Sequence, residues 1–314
     1  MMVAKTEKPL SGFLNVLKPP GMTSAQVVGF VRRLTGGAKI GHAGTLDPEA
    51  AGVLPLMLGK ATRLFDYMQD KEKTYVAEVA FGCSTDTQDA QGVPLETSDA
   101  YPTAEDIEKA LGGFRGMIWQ EPPMYSALKQ DGQRLYELAR EGKQATIPAR
   151  EVTVHELSFN GMTEPHGALV FVRCSKGFYV RTLCHDLGWA LNCPAHMRFL
   201  LRTASGVFTL DTACTLEALE AAAEAGTLDT LLIPMERVLA HLPHADVPQK
   251  LWRAFRNGGR LDWQAFPALH DTEAAVGKPA GFWVDGRLYA IGNRKENEVK
   301  LCTWLAENEG GSQQ

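Results

Sequence analysis

No stretch of this 314-residue chain reaches the roughly 18 consecutive apolar side chains of a membrane-spanning helix. Residues Met1 to Leu10 are polar and lysine-containing, without the apolar core of a secretion signal. Both absences point to a soluble, cytoplasmic protein with no membrane partner. The chain also lacks the glycine fingerprint of a dinucleotide or phosphate-cradling site, which argues against hydride and phosphoryl transfer. Its six cysteines, at 83, 174, 184, 193, 214 and 302, include no Cys-x-x-Cys pair. Cys184, His185, Cys193 and His196 come nearest to a zinc set, but Cys184 and His185 fall within a helical pattern and the spacing fits no common zinc module. Reduced thiols and no metal are expected.

A surplus of positive charge is missing as well, since the net charge is −5. Its distribution is uneven. Residues 1–66 carry eight Lys/Arg against four Asp/Glu, and residues 167–209 carry five against Asp186 alone. Residues 211–246 carry seven acids against Arg237. A basic face on an acidic protein suits a polyanion that is engaged locally and released. The length and the 45% apolar content predict one large unit with a small appended module.

The most shaped stretch is Gly41-His42-Ala43-Gly44-Thr45-Leu46-Asp47-Pro48-Glu49-Ala50-Ala51-Gly52. Three glycines and a proline forbid simple helix or strand there, and Pro48 biases Asp47 toward extended angles. Asp47 reads as a turn residue or as a carboxylate aimed off the end of an element. The apolar run Val53 to Leu58 that follows reads as a buried strand.

Along the chain, Gly12 to Val16 is a first strand, and Thr23 or Ser24 caps a helix with Val27, Val28, Val31 and Leu34 on one face. Lys60 to Met68 reads as a short helix. Lys73 to Gly82 is a strand whose Tyr75, Ala77, Val79 and Phe81 share a face. Gly82 to Thr97 reads as a loop, and Thr103 to Leu111 as a helix opened by a capping box. The prolines at 122 and 123 make Gln120 to Lys129 extended chain, followed by a short helix from Asp131 to Gly142 bearing Arg134 and Arg140. Residues 120–150 together suit an arm or lid over a cleft. Strands are expected over Glu151 to Phe159 and Leu169 to Ser175, then a helix to Leu191 with Arg181 in its first turn. An arginine there opposes the helix dipole unless something negative lies nearby. Further helices are expected over Ala195 to Thr203, Thr215 to Ala225 and Asp229 to Leu239. Beyond a boundary at Leu242 to Pro248, the Asp285-Gly286 hairpin and a strand at Val299 to Trp304 suit a small β-rich module.

Four motifs together resemble the tRNA pseudouridine-55 synthases of the TruB type: Lys18-Pro19-Pro20-Gly21-Met22-Thr23-Ser24, Gly41 to Gly59, Gln120 to Lys129, and Ser175 to Thr182. The resemblance runs from Gly12 to about Thr209. It implies an α+β (mixed α/β) catalytic domain built on an antiparallel sheet with flanking helices, here residues 12–242. It further implies a PUA-like RNA-binding domain at 246–306. Residues 1–11 and 307–314 are expected to be disordered. By the same resemblance Asp47 matches the catalytic aspartate, Tyr75 the tyrosine that stacks on the target base, and Arg181 the arginine paired with the aspartate. His42 matches the histidine that packs among rearranged bases when the target uridine is flipped out. Lys18 and Tyr179 match positions near the active site, and Lys129, Arg134, Arg140, Lys176 and Arg202 are expected near the RNA. The implied partner is tRNA, through its T arm and T-loop, and the chain is expected to act as a monomer.

Turning uridine into pseudouridine breaks N1–C1′ and makes C5–C1′ without gain or loss of electrons, so no cofactor is expected. The reaction needs a carboxylate acting as nucleophile or base. Arg181 is expected to lower the pKa of Asp47 and orient it. Two other readings compete. One takes Asp47 and Glu49 as a phosphoryl-transfer or glycosidase pair, against which stands the lack of a metal cluster. The other is a non-enzymatic RNA-folding or RNA-binding protein, against which stands the intact set of Asp47, Tyr75 and Arg181.

Overall fold

The computed structural model describes residues 10–68, 72–126, 129–130, 133–134, 147–270 and 276–306. Strand β1 (Gly12–Lys18) leads into α1 (Ser24–Leu34), then β2 (Ile40–His42) and β3 (Ala51–Leu58). Thr23 caps α1 through a capping box with Gln26, and its Val27, Val28 and Val31 are buried. β4 (Lys73–Phe81) follows, then the short strands β5 (Cys83–Thr85) and β6 (Pro94–Thr97), and α2 (Ala104–Leu111), capped by Thr103 and Asp106. β7 (Gly116–Gln120) precedes the two-residue strands β8 (Lys129–Gln130) and β9 (Gln133–Arg134). β10 (Arg150–Thr163), β11 (Gly167–Cys174), α3 (Val180–Ala190), β12 (Ala195–Ser205), β13 (Phe208–Thr209), α4 (Leu216–Glu224) and α5 (Met235–Val238) complete the larger unit.

Its sheet runs β1-β3-β12-β4-β11-β10-β7, with β2 on β3 and β13 on β12. Its pairings are antiparallel save one: β12 runs parallel to β3 at Leu201↔Ala51 and Arg202↔Gly52. β3 explains why its sequence is an unbroken apolar run rather than an alternation. Leu54, Leu56 and Leu58 face the core beneath the helices, while Val53 and Met57 face a second core.

That second core is closed by the C-terminal unit. After β14 (His244–Asp246) come α6 (Trp252–Arg256), β15 (Leu261–Asp262), β16 (Pro279–Val284), β17 (Arg287–Lys295) and β18 (Glu298–Trp304), in a separate sheet ordered β14-β16-β17-β18-β15. The β16–β17 turn holds Asp285 at φ 48° and Gly286 at φ 74°, the left-handed pair of a tight hairpin. This unit has its own aromatic core around Phe255, Phe266 and Phe282. It lends Leu288, Ile291 and Leu305 to the core that covers Phe13, Val53 and Met57. Tyr67 and Thr303 share a hydrogen bond of 3.0 Å across the junction. No helix among the described residues is long and apolar enough to cross a membrane.

Several elements differ from the sequence-based expectation. Ala195 to Thr203 is not a helix but most of β12. Its buried residues Ala195, Met197, Leu200 and Arg202 alternate except at a register shift between Met197 and Phe199, and that extra residue breaks the period of two. Lys60 to Met68 is two 3-10 turns, Gly59–Arg63 and Phe65–Tyr67. The stretch read as a loop from Gly82 to Thr97 holds the β5–β6 hairpin. Pro234 splits the helix expected over Asp229 to Leu239 into a 3-10 turn, Leu228–Leu231, and α5. The helix expected from Asp131 is contradicted at Gln133–Arg134, which pair as β9 with Lys129–Gln130. Its remainder, including Arg140, lies outside the described residues. So do the expected disordered ends, apart from Leu10 and Ser11; Ser11 Oγ accepts the Lys60 N–H at 3.3 Å.

Gly52 is the tightest point of the central sheet. At φ +114° a Cβ would overlap the Arg202 carbonyl and stand 2.7 Å from its nitrogen. Gly36, at φ +64°, has open space around it. Gly52→Ala is therefore expected to cost about 3 to 5 kcal/mol in urea unfolding, through strain plus overlap, and Gly36→Ala only about 1 to 2 kcal/mol. Equal costs would show that the β3–β12 contact does not limit this position.

Candidate active site

The loop from Ala43 to Ala50 is held from below by hydrogen bonds to its carbonyls. Arg202, fully buried on β12, donates through Nε to Val53 O at 2.7 Å, and through Nη1 and Nη2 to Thr45 O and Gly44 O at 3.3 Å each. Lys18, fully buried at the end of β1, donates from Nζ to Pro19 O and Pro48 O at 2.8 Å and to Ala50 O at 2.6 Å. An ammonium has three donors, and all three are used. The same Lys18 to Ser24 motif adds the Gly21 N–H to Pro48 O at 3.0 Å. Ser24 Oγ donates to Leu46 O at 3.2 Å and accepts from the Leu46 N–H at 3.0 Å. The expectation that Lys18 and Arg202 contact substrate is thus corrected. The Lys18 head group is committed to backbone carbonyls, and the Arg202 guanidinium to backbone carbonyls and the Tyr75 hydroxyl.

The loop presents Asp47 to Arg181. Arg181 Nε lies 3.1 Å from Asp47 Oδ2, and Nη2 donates to Oδ1 at 3.3 Å, a two-point contact that fixes the carboxylate plane. Arg181 Nη1 also lies 3.6 Å from Asp89 Oδ2 and donates to Thr87 O at 3.3 Å, while Nη2 donates to Tyr125 O at 2.9 Å. The Arg181 side chain is only 7% exposed. The first turn of α3 holds no acid of its own. Asp47 and Asp89 supply the negative charge that an arginine at that position calls for.

Withdrawal from bulk water raises the Asp47 carboxyl above the ordinary aspartate range. Arg181 pulls it down, Asp89 pushes it up again, and Lys18 and Arg202 add smaller downward pulls. The expected net lowering by Arg181 is therefore reversed, because desolvation is the larger effect. With 36% of its side chain accessible, Asp47 is braced rather than sealed. Tyr75, on β4, pairs in register with Arg202. Burial pushes its hydroxyl up to about 12, so it stays protonated. His42, half-buried at the end of β2, is held below its ordinary range by burial and by Arg202, and is neutral at pH 7. The Gly44 backbone lies near enough to favour its protonated form weakly, yet Nδ1 has no partner of hydrogen-bond geometry.

Tyr179 precedes α3 and is locked by Gln120, whose Oε1 accepts the Tyr179 N–H at 3.0 Å and whose Nε2 donates to Tyr179 O at 3.2 Å. Lys176 is exposed on the turn before it. Lys129 and Arg134 are opposite each other in the β8–β9 pairing. Asp89, Ser24 and the locking role of Gln120 are the site features that sequence reasoning did not single out. Asp89 has no local mark to separate it from Asp86, three residues earlier in the same polar stretch. Among the described residues no three His, Cys, Asp or Glu side chains converge as metal ligands would.

In fold, the chain resembles a Cbf5-Nop10-Gar1 complex, with a TM-score of 0.70 and 26% identity over 93% of this chain and 83% of that one. An H/ACA ribonucleoprotein bound to a substrate RNA containing 2'-deoxyuridine shares the fold, with a TM-score of 0.71 and 24% identity over 95% of this chain and 86% of that one. Residues 32–180 match the TruB family pseudouridylate synthase N-terminal domain, and residues 181–240 match the tRNA pseudouridylate synthase B C-terminal domain. The tRNA pseudouridine synthase B of Ruegeria pomeroyi is 43% identical over 96% of this chain and 98% of its own length. That of Bacillus subtilis is 42% identical over 81% of this chain and 84% of its own. The chain belongs to the TruB family of pseudouridylate synthases.

Burial pushes Lys18 down to about 8, with Glu49 and Asp47 pulling it up. Replacing it tests the clamp. Lys18→Met removes the donor from three carbonyls and is expected to cost about 2 to 5 kcal/mol in urea unfolding at neutral pH. An unchanged unfolding midpoint would show that water or a neighbour satisfies those carbonyls.

Proposed function

We propose that this chain converts uridine 55 in the T-loop of tRNA to pseudouridine, with Asp47 as the catalytic carboxylate. The observation that carries this reading is the two-point contact between Arg181 and Asp47 on a loop anchored by buried cations. In the reaction N1–C1′ breaks, the uracil turns, and C5–C1′ forms, so atoms and electrons balance without a redox partner. A covalent course and a base-catalysed one both use the same ionised oxygen, and Arg181 fixes where that oxygen points. Tyr75 limits how the freed uracil turns; a stacked ring contributes about 1 to 3 kcal/mol to holding a base. Flipping the uridine out costs a few kcal/mol, which His42 offsets by packing in the vacated space.

The rest of the chain acts on the RNA as a folded object. Recognition is by the shape of the T arm and by a short loop sequence. Residues 12–242 form the catalytic domain, with 120–150 as the arm and Lys129, Arg134, Arg140, Lys176 and Tyr179 near the RNA. Residues 246–306 form a PUA-like RNA-binding module. The separate five-stranded sheet and its own aromatic core support that division. The protein works as a monomer in the cytoplasm.

Pseudouridine mapping of tRNA incubated with wild-type protein and with Asp47→Asn tests the assignment. The variant is expected to lose turnover by at least three orders of magnitude while still binding tRNA; retained turnover would overturn it. The pH profile adds a signed test. Only ionised Asp47 works, and its range is raised, so activity is expected to fall on acidification at a pH above the ordinary aspartate value of 3.8. Asp89 pushes Asp47 up, so Asp89→Asn is expected to move that acid limb to lower pH. An upward move would show that Asp89 acts mainly by orienting Arg181.

A further inference from the structure

The β5–β6 hairpin meets the active site with its tip, where Gln88 stands at φ 62°, in the left-handed region that a residue with a long side chain enters only at a cost. Three hydrogen bonds hold it there. Its N–H donates to Thr85 O at 3.1 Å, its carbonyl accepts the Met197 N–H at 3.0 Å, and its side-chain Oε1 accepts the Thr182 hydroxyl at 3.1 Å. The Ala90 N–H donates to Met197 O at 3.0 Å, so the backbone on both sides of Asp89 is fastened to β12. The Gln88 side chain ties the tip elsewhere, to α3, at the residue that follows Arg181.

Asp89 has little freedom within the tip. Its Oδ1 accepts the Thr87 hydroxyl at 2.6 Å and the Gln91 N–H at 3.0 Å, while Oδ2 lies 3.6 Å from Arg181 Nη1. That last separation is longer than a charge-assisted hydrogen bond, so the pull across it follows the placement of the whole tip. Arg181 alone fixes that placement poorly, because its side chain is long and rich in rotamers. Thr182 is short, β-branched and buried, with one stiff side-chain torsion. Its hydroxyl carries a single proton and lies 3.1 Å from Gln88 Oε1 and 3.4 Å from Glu121 O, so Gln88 is the nearer acceptor. Thr182 thus reaches the same hairpin and the same extended chain as Arg181, through neutral groups.

We propose that Gln88 is a positioning residue for the reaction at Asp47: its bond to Thr182 sets the distance between the hairpin tip and α3, and so how closely Asp89 stands to Arg181. This rests on the function given above for Asp47. Asp47 is faced by Arg181 from α3, Asp89 from the tip, Lys18 from β1 and Arg202 from β12, and by the Tyr75 and Tyr179 hydroxyls, which burial keeps protonated. Of these groups only Asp89 rides on the tip. Freeing the tip lets Asp89 withdraw, and its upward push on Asp47 falls.

Gln88→Met keeps the side-chain length and the backbone cost but loses the acceptor. Thr182→Val keeps the shape but loses the donor, and Thr182→Ser keeps the donor. With tRNA as substrate, Gln88→Met and Thr182→Val are expected to lower kcat about tenfold with KM within about twofold of wild type, and to move the acid limb of activity to lower pH. Thr182→Ser is expected to stay within about twofold in kcat, and Gln88→Met to add less than about twofold in an Asp89→Asn background. Gln88→Asn suits left-handed backbone but is one methylene shorter; it is expected to unfold no more readily than wild type and still to lose kcat, which sets positioning apart from stability. The ¹H–¹⁵N signal of the Arg181 Nε–H, identified by its loss in Arg181→Lys, reads the tie without turnover. It is expected to shift in Gln88→Met and Thr182→Val and to stay in place in Thr182→Ser. Retained turnover in Asp47→Asn would sink the catalytic reading and leave this signal as the separate test of the tie. The proposal is overturned if the Arg181 signal is unmoved, if it moves while kcat and the acid limb stay unchanged, or if Asp89→Asn leaves the effect of Gln88→Met undiminished.

Discussion

Two fully buried cations, Lys18 and Arg202, hold the rest of the active site in place. A buried charge is costly unless its donors are matched, and here peptide carbonyls match them. Gly44, Thr45, Pro48, Ala50 and Val53 turn their oxygens inward to do so. That requirement shapes the loop. A backbone whose carbonyls must converge on points below it cannot follow helical or strand geometry, which is why Gly44 and Gly52 sit at φ +120° and +114°. The Asp47 side chain faces Arg181.

Arg181 then joins segments that are far apart in sequence. Its guanidinium touches the Asp47 loop, the tip of the β5–β6 hairpin at Thr87 and Asp89, and the extended chain at Tyr125. Two carboxylates share one arginine, so neither is fully neutralised by it. With burial, this accounts for an Asp47 carboxyl that stays above the ordinary range despite a guanidinium 3.1 Å away. An aspartate held this way is oriented without being made inert, because a strongly depressed pKa would weaken it as a base or nucleophile.

Much of this was legible in the chain. The α1 and α2 capping boxes, the alternating face of β4 and the two-sided burial of β3 all follow from local pattern. Arg181 could be marked as anomalous because a helix start disfavours it. Arg202 could not. The register shifts in β12 imitate a helical spacing, so the pattern predicts a helix offering Arg202 to the RNA, whereas the side chain is fully buried. Asp89 was equally hidden, since its role depends on a hairpin tip meeting α3. Both failures concern residues whose partners are fixed only by tertiary pairing, which a single sequence does not encode at short range.

The two-sided burial of β3 also ties the C-terminal unit to the chemistry. Val53 points into the core shared with Leu288 and Ile291, while its carbonyl oxygen accepts the Arg202 Nε–H. One residue thus faces the module on its side-chain side and the Arg202 clamp on its backbone side. Rigid packing at Phe13, Val53 and Met57 would keep that carbonyl in position, because close-packed interiors transmit small displacements rather than absorbing them. The C-terminal unit therefore bears on the Asp47 loop through packing alone. Loss of that packing would loosen the Arg202 clamp before it disturbed Asp47 itself.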